Sequence, residues 1–152
     1  MLGKWIVGTS LAMLLATAAM AAEINAQQPF AEQRAQIEKD LGGDTYREIS
    51  AEDRAKVIAA LERMSQRLGD GKQPQDLKGA DQVSWFNDQE LVNSLLTQAR
   101  EDSRLVCERY RPTGSKMPQN VCLTVAQRRA TREEAVDEIR QIRRSGGETP
   151  SR

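Results

Sequence analysis

Cys107-Glu-Arg-Tyr-Arg-Pro-Thr-Gly-Ser-Lys-Met-Pro-Gln-Asn-Val-Cys122 holds the only two cysteines of the 152-residue chain. A secretory leader lies upstream, so the two thiols are expected to oxidise to one another. Arg104 to Tyr110 reads as a strand, and Asn120 to Leu123 suits a return strand. If Cys107 faces Cys122, antiparallel position numbers sum to 229, which sets Tyr110 against Gln119 and Pro112 against Met117. Thr113-Gly114-Ser115-Lys116 is then left as a four-residue turn, with Gly114 free to take a positive φ. Pro112 and Pro118 cannot donate ladder hydrogen bonds, so the ribbon stays two-stranded or lies at a sheet edge. A lone hairpin is marginal in water and needs its disulfide and packing against a helix.

Helical patterns surround the hairpin. Downstream, Thr124 caps a last helix, with Gln127 closing a capping box. Its apolar positions, Ala126, Ala130, Val136, Ile139 and Ile142, make a thin stripe among charges, so one edge is expected to dock. Gly146-Gly147 ends it, before a disordered tail over 146–152. Upstream, Asn87 and Glu90 read as a capping box, with Phe86 stapled to Leu91. A buried stripe of Leu91, Val92, Leu95, Leu96 and Ala99 follows, ending near Asp102. Trp85 and Phe86 are expected as core anchors. Earlier still, Ser50 caps a helix over 51–68 whose stripe is Val57, Leu61, Met64 and Leu68, stopped by Gly69. Phe30 to Leu41 makes a short first helix, with Phe30, Ile37 and Leu41 on one face. Residues 69–83 read as a polar linker, and 22–32 as a mobile arm.

The N-terminus has the layout of a cleavable signal peptide over 1–21. Lys4 supplies the positive charge, Trp5 to Leu15 the short apolar core, and Ala19-Met20-Ala21 the cleavage motif; Ala16-Thr17-Ala18 is an alternative site. The apolar run is shorter than the roughly 20 residues that span a bilayer. The mature protein is therefore expected to be periplasmic or extracellular, without stable membrane insertion. Its remaining residues suit an arm and short helix over 22–49 and one small helical domain over 50–145, with the hairpin at 104–123. Apolar residues make up 39% and aromatics 4% of the chain, so the core is modest and a mainly α fold of three to four helices is expected.

From about Asp88 to Arg129 the chain resembles a group of small exported proteobacterial proteins that lack an assigned biochemical role. Phe86-Asn87-Asp88-Gln89-Glu90, Glu101-Asp102-Ser103-Arg104, Cys107, Thr113-Gly114-Ser115 and Val121-Cys122-Leu123-Thr124 carry the likeness, in a C-x5-T-G-S-x6-C-x-T spacing. It implies export and a paired-cysteine hairpin feeding a helix, and it brings no catalytic residues.

The residues exclude several chemistries. Histidine is absent, which removes Ser-His-Asp and Cys-His catalysis and the usual zinc sites. The cysteines are too far apart for a C-x-x-C redox pair, and no phosphate-binding glycine loop is present. Composition alone leaves a two-carboxylate glycosidase open, but nothing places two acids in one cleft. No metal or cofactor is expected. The arginines of the last helix alternate with acids, and export disfavours nucleic acid as a partner. The protein is expected to be a non-enzymatic interaction or structural module whose partner is a protein of the cell envelope. The candidate contact residues are Arg109, Arg111, Thr113, Gly114, Ser115 and Lys116, where cations and backbone N–H groups can hold a carboxylate or phosphate. The alternative is an inhibitor or immunity-type protein of an exported hydrolase. Residues 23–99, with 14 acidic against 9 basic side chains, would then face a basic active site.

Overall fold

The computed structural model describes residues 23–69 and 71–145. The expected leader (1–21) and tail (146–152) lie outside the described residues. The chain is mainly helical. Helices α1 (Phe30–Asp40), α2 (Ala51–Leu68) and α3 (Gly79–Ser103) are followed by strands β1 (Leu105–Tyr110) and β2 (Gln119–Thr124) and by helix α4 (Val125–Ser145). Short 3-10 turns over Asp44–Tyr46 and Pro74–Asp76 join the first three helices.

Helix α2 forms where the caps and periodicity place it. The Ser50 hydroxyl accepts from the Asp53 N–H at 3.0 Å, and Gly69 closes the helix at a φ of 55°, a left-handed conformation that favours glycine. Val57, Ala60, Leu61, Met64 and Leu68 face inward and meet Trp85, Val92, Leu96 and Ala99 of α3. Phe30 and Ile37 of α1, with Leu41 and Tyr46 after it, close the third side. The Phe30 and Trp85 rings meet edge to face with centroids 6.0 Å apart, an arrangement the ring quadrupoles favour.

Several expectations are corrected. Helix α3 starts at Gly79, not at an Asn87 cap, so Asn87 and Glu90 lie within a helix that is already running. Phe86 and Leu91 are both exposed and form no staple; Phe86 instead stacks on the edge of Trp85. The buried stripe begins earlier and includes a charge: Trp85, Asp88, Val92, Leu96, Ala99 and Ser103. Part of the expected linker is thereby helical, and Pro74 and Leu77 bury themselves as well. The expected arm is docked on the core at Ile24, which is 2% exposed. Its N–H donates to Asn93 Oδ1 at 2.8 Å, while its carbonyl accepts from the Gln89 and Asn93 side-chain amides. Lastly, α4 docks only by its first turn. Val125, Ala126 and Arg128 are half-buried and residues 129–144 are exposed, because only the end of α3 and the short hairpin lie beside it.

Every apolar side chain of the buried cluster comes from residues 24–99. The hairpin and α4 add none.

Candidate functional site

The hairpin stands at the end of the helical core on a polar joint. Helix α3 ends at Ser103, whose buried hydroxyl accepts from the Glu48 N–H at 3.0 Å. Thr124, the last residue of β2, is fully buried. Its hydroxyl donates to Glu48 Oε1 at 2.9 Å and accepts from the Gln127 N–H at 3.1 Å. Gln127 Oε1 in turn accepts from the Thr124 N–H at 3.1 Å, completing the capping box expected there. One threonine thus ends the strand, starts the helix and fastens both to the core. Arg129 adds an ion pair to Asp102 at 3.0 Å. The Gln98 amide and then the Arg129 guanidinium hold the Asp102 carboxyl below the usual carboxylate range.

From this joint the ribbon pairs in the expected register, Cys107 with Cys122 and Tyr110 with Gln119. The cysteines are disulfide-bonded, and their Cα atoms are 4.0 Å apart. Directly opposed residues share a face, so the disulfide, Arg109 and Asn120 lie on one side. Val106, Glu108, Val121 and Leu123 lie on the other, where Arg128 of α4 bonds Glu108 at 2.6 Å and the Val106 carbonyl at 3.3 Å. Both cysteines are exposed. The ribbon is therefore held by its crosslink, its ladder and one arginine rather than by buried apolar surface.

The tip is a β-turn over 112–115, closed by a Ser115 N–H to Pro112 carbonyl bond of 3.0 Å. Gly114, at the third position, has a φ of 83°, the value that a type II turn requires there. The turn sits one residue earlier than the sequence suggests. Ser115 explains the shift: its hydroxyl accepts from the Met117 N–H at 3.2 Å and bridges to the Met117 carbonyl, organising the return to β2. Of the candidate contact residues, Thr113, Gly114 and Ser115 share this turn, with the Ser115 hydroxyl engaged within it. Arg109, Arg111 and Lys116 flank the turn and are exposed. Tyr110 and Met117 beside them are 53% and 75% exposed, which makes the tip amphipathic. A groove of about 510 Å³ lies on the core between α1 and the end of α2, lined by Phe30, Arg34, Glu38, Leu68 and Lys72, and none of the tip residues enters it.

A charged cluster that the sequence pattern did not single out joins α2 to α3. Asp88 is 8% exposed and accepts from Arg63 through two guanidinium nitrogens, and from Arg67 at 2.7 Å. Burial opposes its ionisation, but Arg63 and Arg67 outweigh burial and hold the carboxyl below its ordinary value. A signal was available. Once α3 starts at Gly79, Asp88 falls on the buried stripe, while Arg63 and Arg67 stand one turn apart on α2. Each Asp88 oxygen is taken by a guanidinium, so the group ties two helices together and offers nothing to a substrate. Among the described residues no group of three or more Asp, Glu or Cys side chains is placed to hold a metal, and no helix is long and apolar enough to cross a membrane.

Comparison with protein-family models, curated proteins and solved structures returned no match to this chain. The likeness described for residues 88–129 rests on its quoted residues alone.

Proposed function

We propose that the protein is an exported, non-enzymatic interaction module that presents its disulfide-clamped hairpin to an acidic protein of the cell envelope. The observation that carries this reading is the division of the molecule. A core complete within residues 24–99 supports a ribbon that buries almost nothing, yet is held by a covalent crosslink, a buried threonine and a capping box. A segment that adds nothing to the apolar core and yet has a fixed shape suits recognition. At its tip, Arg109, Arg111 and Lys116 flank Tyr110 and Met117, which matches carboxylates set beside an apolar patch. Export is supported by the layout of residues 1–21 and by the disulfide, which persists in oxidising compartments. The inhibitor alternative is the weaker reading. Glu38, Asp44, Glu52, Asp53, Glu62 and Asp88 of the acidic half already pair with cations of that same half.

The test is affinity capture from periplasmic extract with the mature protein and with an Arg109→Ala, Arg111→Ala, Lys116→Ala variant. The expected result is a partner whose binding falls at least about tenfold in the variant and weakens with salt, while the unfolding temperature stays within about a degree. The same partners captured equally by both proteins would remove the hairpin tip from the function. Loss of capture on mutating the acidic face instead would favour the inhibitor.

A further inference from the structure

A disulfide resists reduction when the fold hides its sulfurs and when breaking it costs packed structure; exposed ones are the labile ones. The Cys107–Cys122 bond lacks both protections. Both cysteines are exposed, and so are Leu105, Arg109 and Asn120, which share their face of the ribbon. Arg128, the link from α4, bonds Glu108 and the Val106 carbonyl on the opposite face, so the sulfur face stays open.

Packing gives the bond no shelter either. The apolar cluster closes at residue 99, and Thr124 is the one fully buried side chain of the ribbon and α4. Glu48 and Gln127 hold it, and neither bond passes through the crosslink. Breaking the S–S bond therefore exposes no apolar core surface and leaves the root of the ribbon in place. It frees the stretch between the cysteines, a sequence separation of 15. The remaining restraint on that stretch is a two-stranded ladder, which is marginal by itself in water. Arg109, two residues from Cys107 on the same face, adds a cation that favours both an arriving and a departing thiolate.

We propose that Cys107–Cys122 is a site of thiol–disulfide exchange with a protein dithiol of the C-x-x-C type, and that its reduction releases the hairpin while the helical core stays folded. A thiolate of the dithiol attacks Sγ of one cysteine and forms a mixed disulfide. The other cysteine leaves as a thiolate and takes up a proton. The second thiol of the donor then gives up its proton and attacks the donor sulfur of the mixed disulfide. That step frees the remaining cysteine as a thiolate, which is protonated in turn. The chain gains two electrons and two protons, and the donor is oxidised to a disulfide. The segment from Arg109 to Lys116 thereby has two states, a fixed turn and a loose loop, set by the redox poise around it.

Quenched alkylation of the mature protein tests this, with free thiols counted by mass. Dithiothreitol should reduce the native protein at a rate within about tenfold of that in denaturing urea. Reduced thioredoxin, a C-x-x-C dithiol, should act at least as fast at equal concentration. Asp88→Asn, which weakens the junction of α2 and α3, should leave the rate unchanged. Were reduction to wait for global unfolding, that variant would speed it by about thirtyfold or more. The reduced protein should keep the Trp85 unfolding transition and exchange its amides over 105–124 about a hundredfold faster. Oxidised glutathione should restore the bond. Capture of a partner enters none of these readouts, so failure of the recognition reading leaves them unchanged. A native rate depressed beyond that tenfold, a rate that follows the Asp88→Asn destabilisation, a bond that thioredoxin cannot reach, or a core that melts on reduction would each overturn the proposal.

Discussion

Replacing Cys107 and Cys122 with serine should loosen the hairpin and leave the helical core as stable as before. The crosslink spans a sequence separation of 15, and the chain-entropy relation assigns such a loop about 3 kcal/mol. Where that energy is felt depends on what the ribbon packs against. The ribbon and α4 supply no residue to the apolar cluster, and Thr124 is their one fully buried side chain. Without the crosslink the ribbon gains freedom in the native state as well as in the unfolded one, so the two gains cancel for the core. Trp85, fully buried and the only tryptophan after Trp5, reports core unfolding by its fluorescence. Its urea transition should move by less than about 0.5 kcal/mol in the double variant. Amide exchange over residues 105–124 should accelerate by about a hundredfold, which is what ~3 kcal/mol of local opening corresponds to. If the Trp85 transition loses the whole ~3 kcal/mol, roughly 10 °C in a domain of this size, the hairpin unfolds with the core and the division of the molecule argued above is wrong.

Asp88→Asn should cost about 2–3 kcal/mol at neutral pH, the range for charge-assisted hydrogen bonds; both arginines can still turn towards water, which keeps the loss below that of a fully buried pair. The Asp88 carboxyl titrates below its ordinary value in the folded protein, so its contribution is complete above the unfolded value of about 3.9 and is lost as pH falls through the lower native one. Chemical denaturation of both proteins across that acidic window should show the gap closing; a gap of constant size would refute the ion-pair account. Thr124→Val keeps the shape of the side chain but removes a donor to Glu48 and an acceptor for Gln127, so it should cost about 1–2 kcal/mol. That loss should appear as faster exchange in α4 and the hairpin, and exchange confined to the core would contradict the role of Thr124 as the joint.

Much of this fold was legible because local chemistry and tertiary packing agree. Ser50, the stripe from Val57 to Leu68 and Gly69 leave no competing reading of α2, and the paired cysteines set the hairpin register to the residue. The start of α3 was obscured because Lys78 offers no side-chain cap, while Asn87 and Glu90 imitate one in mid-helix. Tertiary burial of Trp85 and Leu77 overrides that local signal. The arm was misread for a related reason. Its polar composition suggests disorder, yet one isoleucine and two side-chain amides sixty-odd residues away fasten it. Such a contact leaves no periodic trace. At the candidate site, the residues flanking the turn were readable from spacing, whereas the internal use of the Ser115 hydroxyl depends on backbone geometry that composition does not carry.

The closing of the apolar cluster by residue 99 sets an order of assembly. A chain appearing N-terminus first, from synthesis or from an export channel, holds its entire core before Cys107 emerges. The two thiols then meet on a nascent chain already anchored at Glu48 and Ser103, across a short loop and with no third thiol to trap a wrong pairing. Oxidation is thus the final stitch in a molecule whose centre is already folded, and a catalyst of disulfide exchange has no mispaired intermediate to rescue.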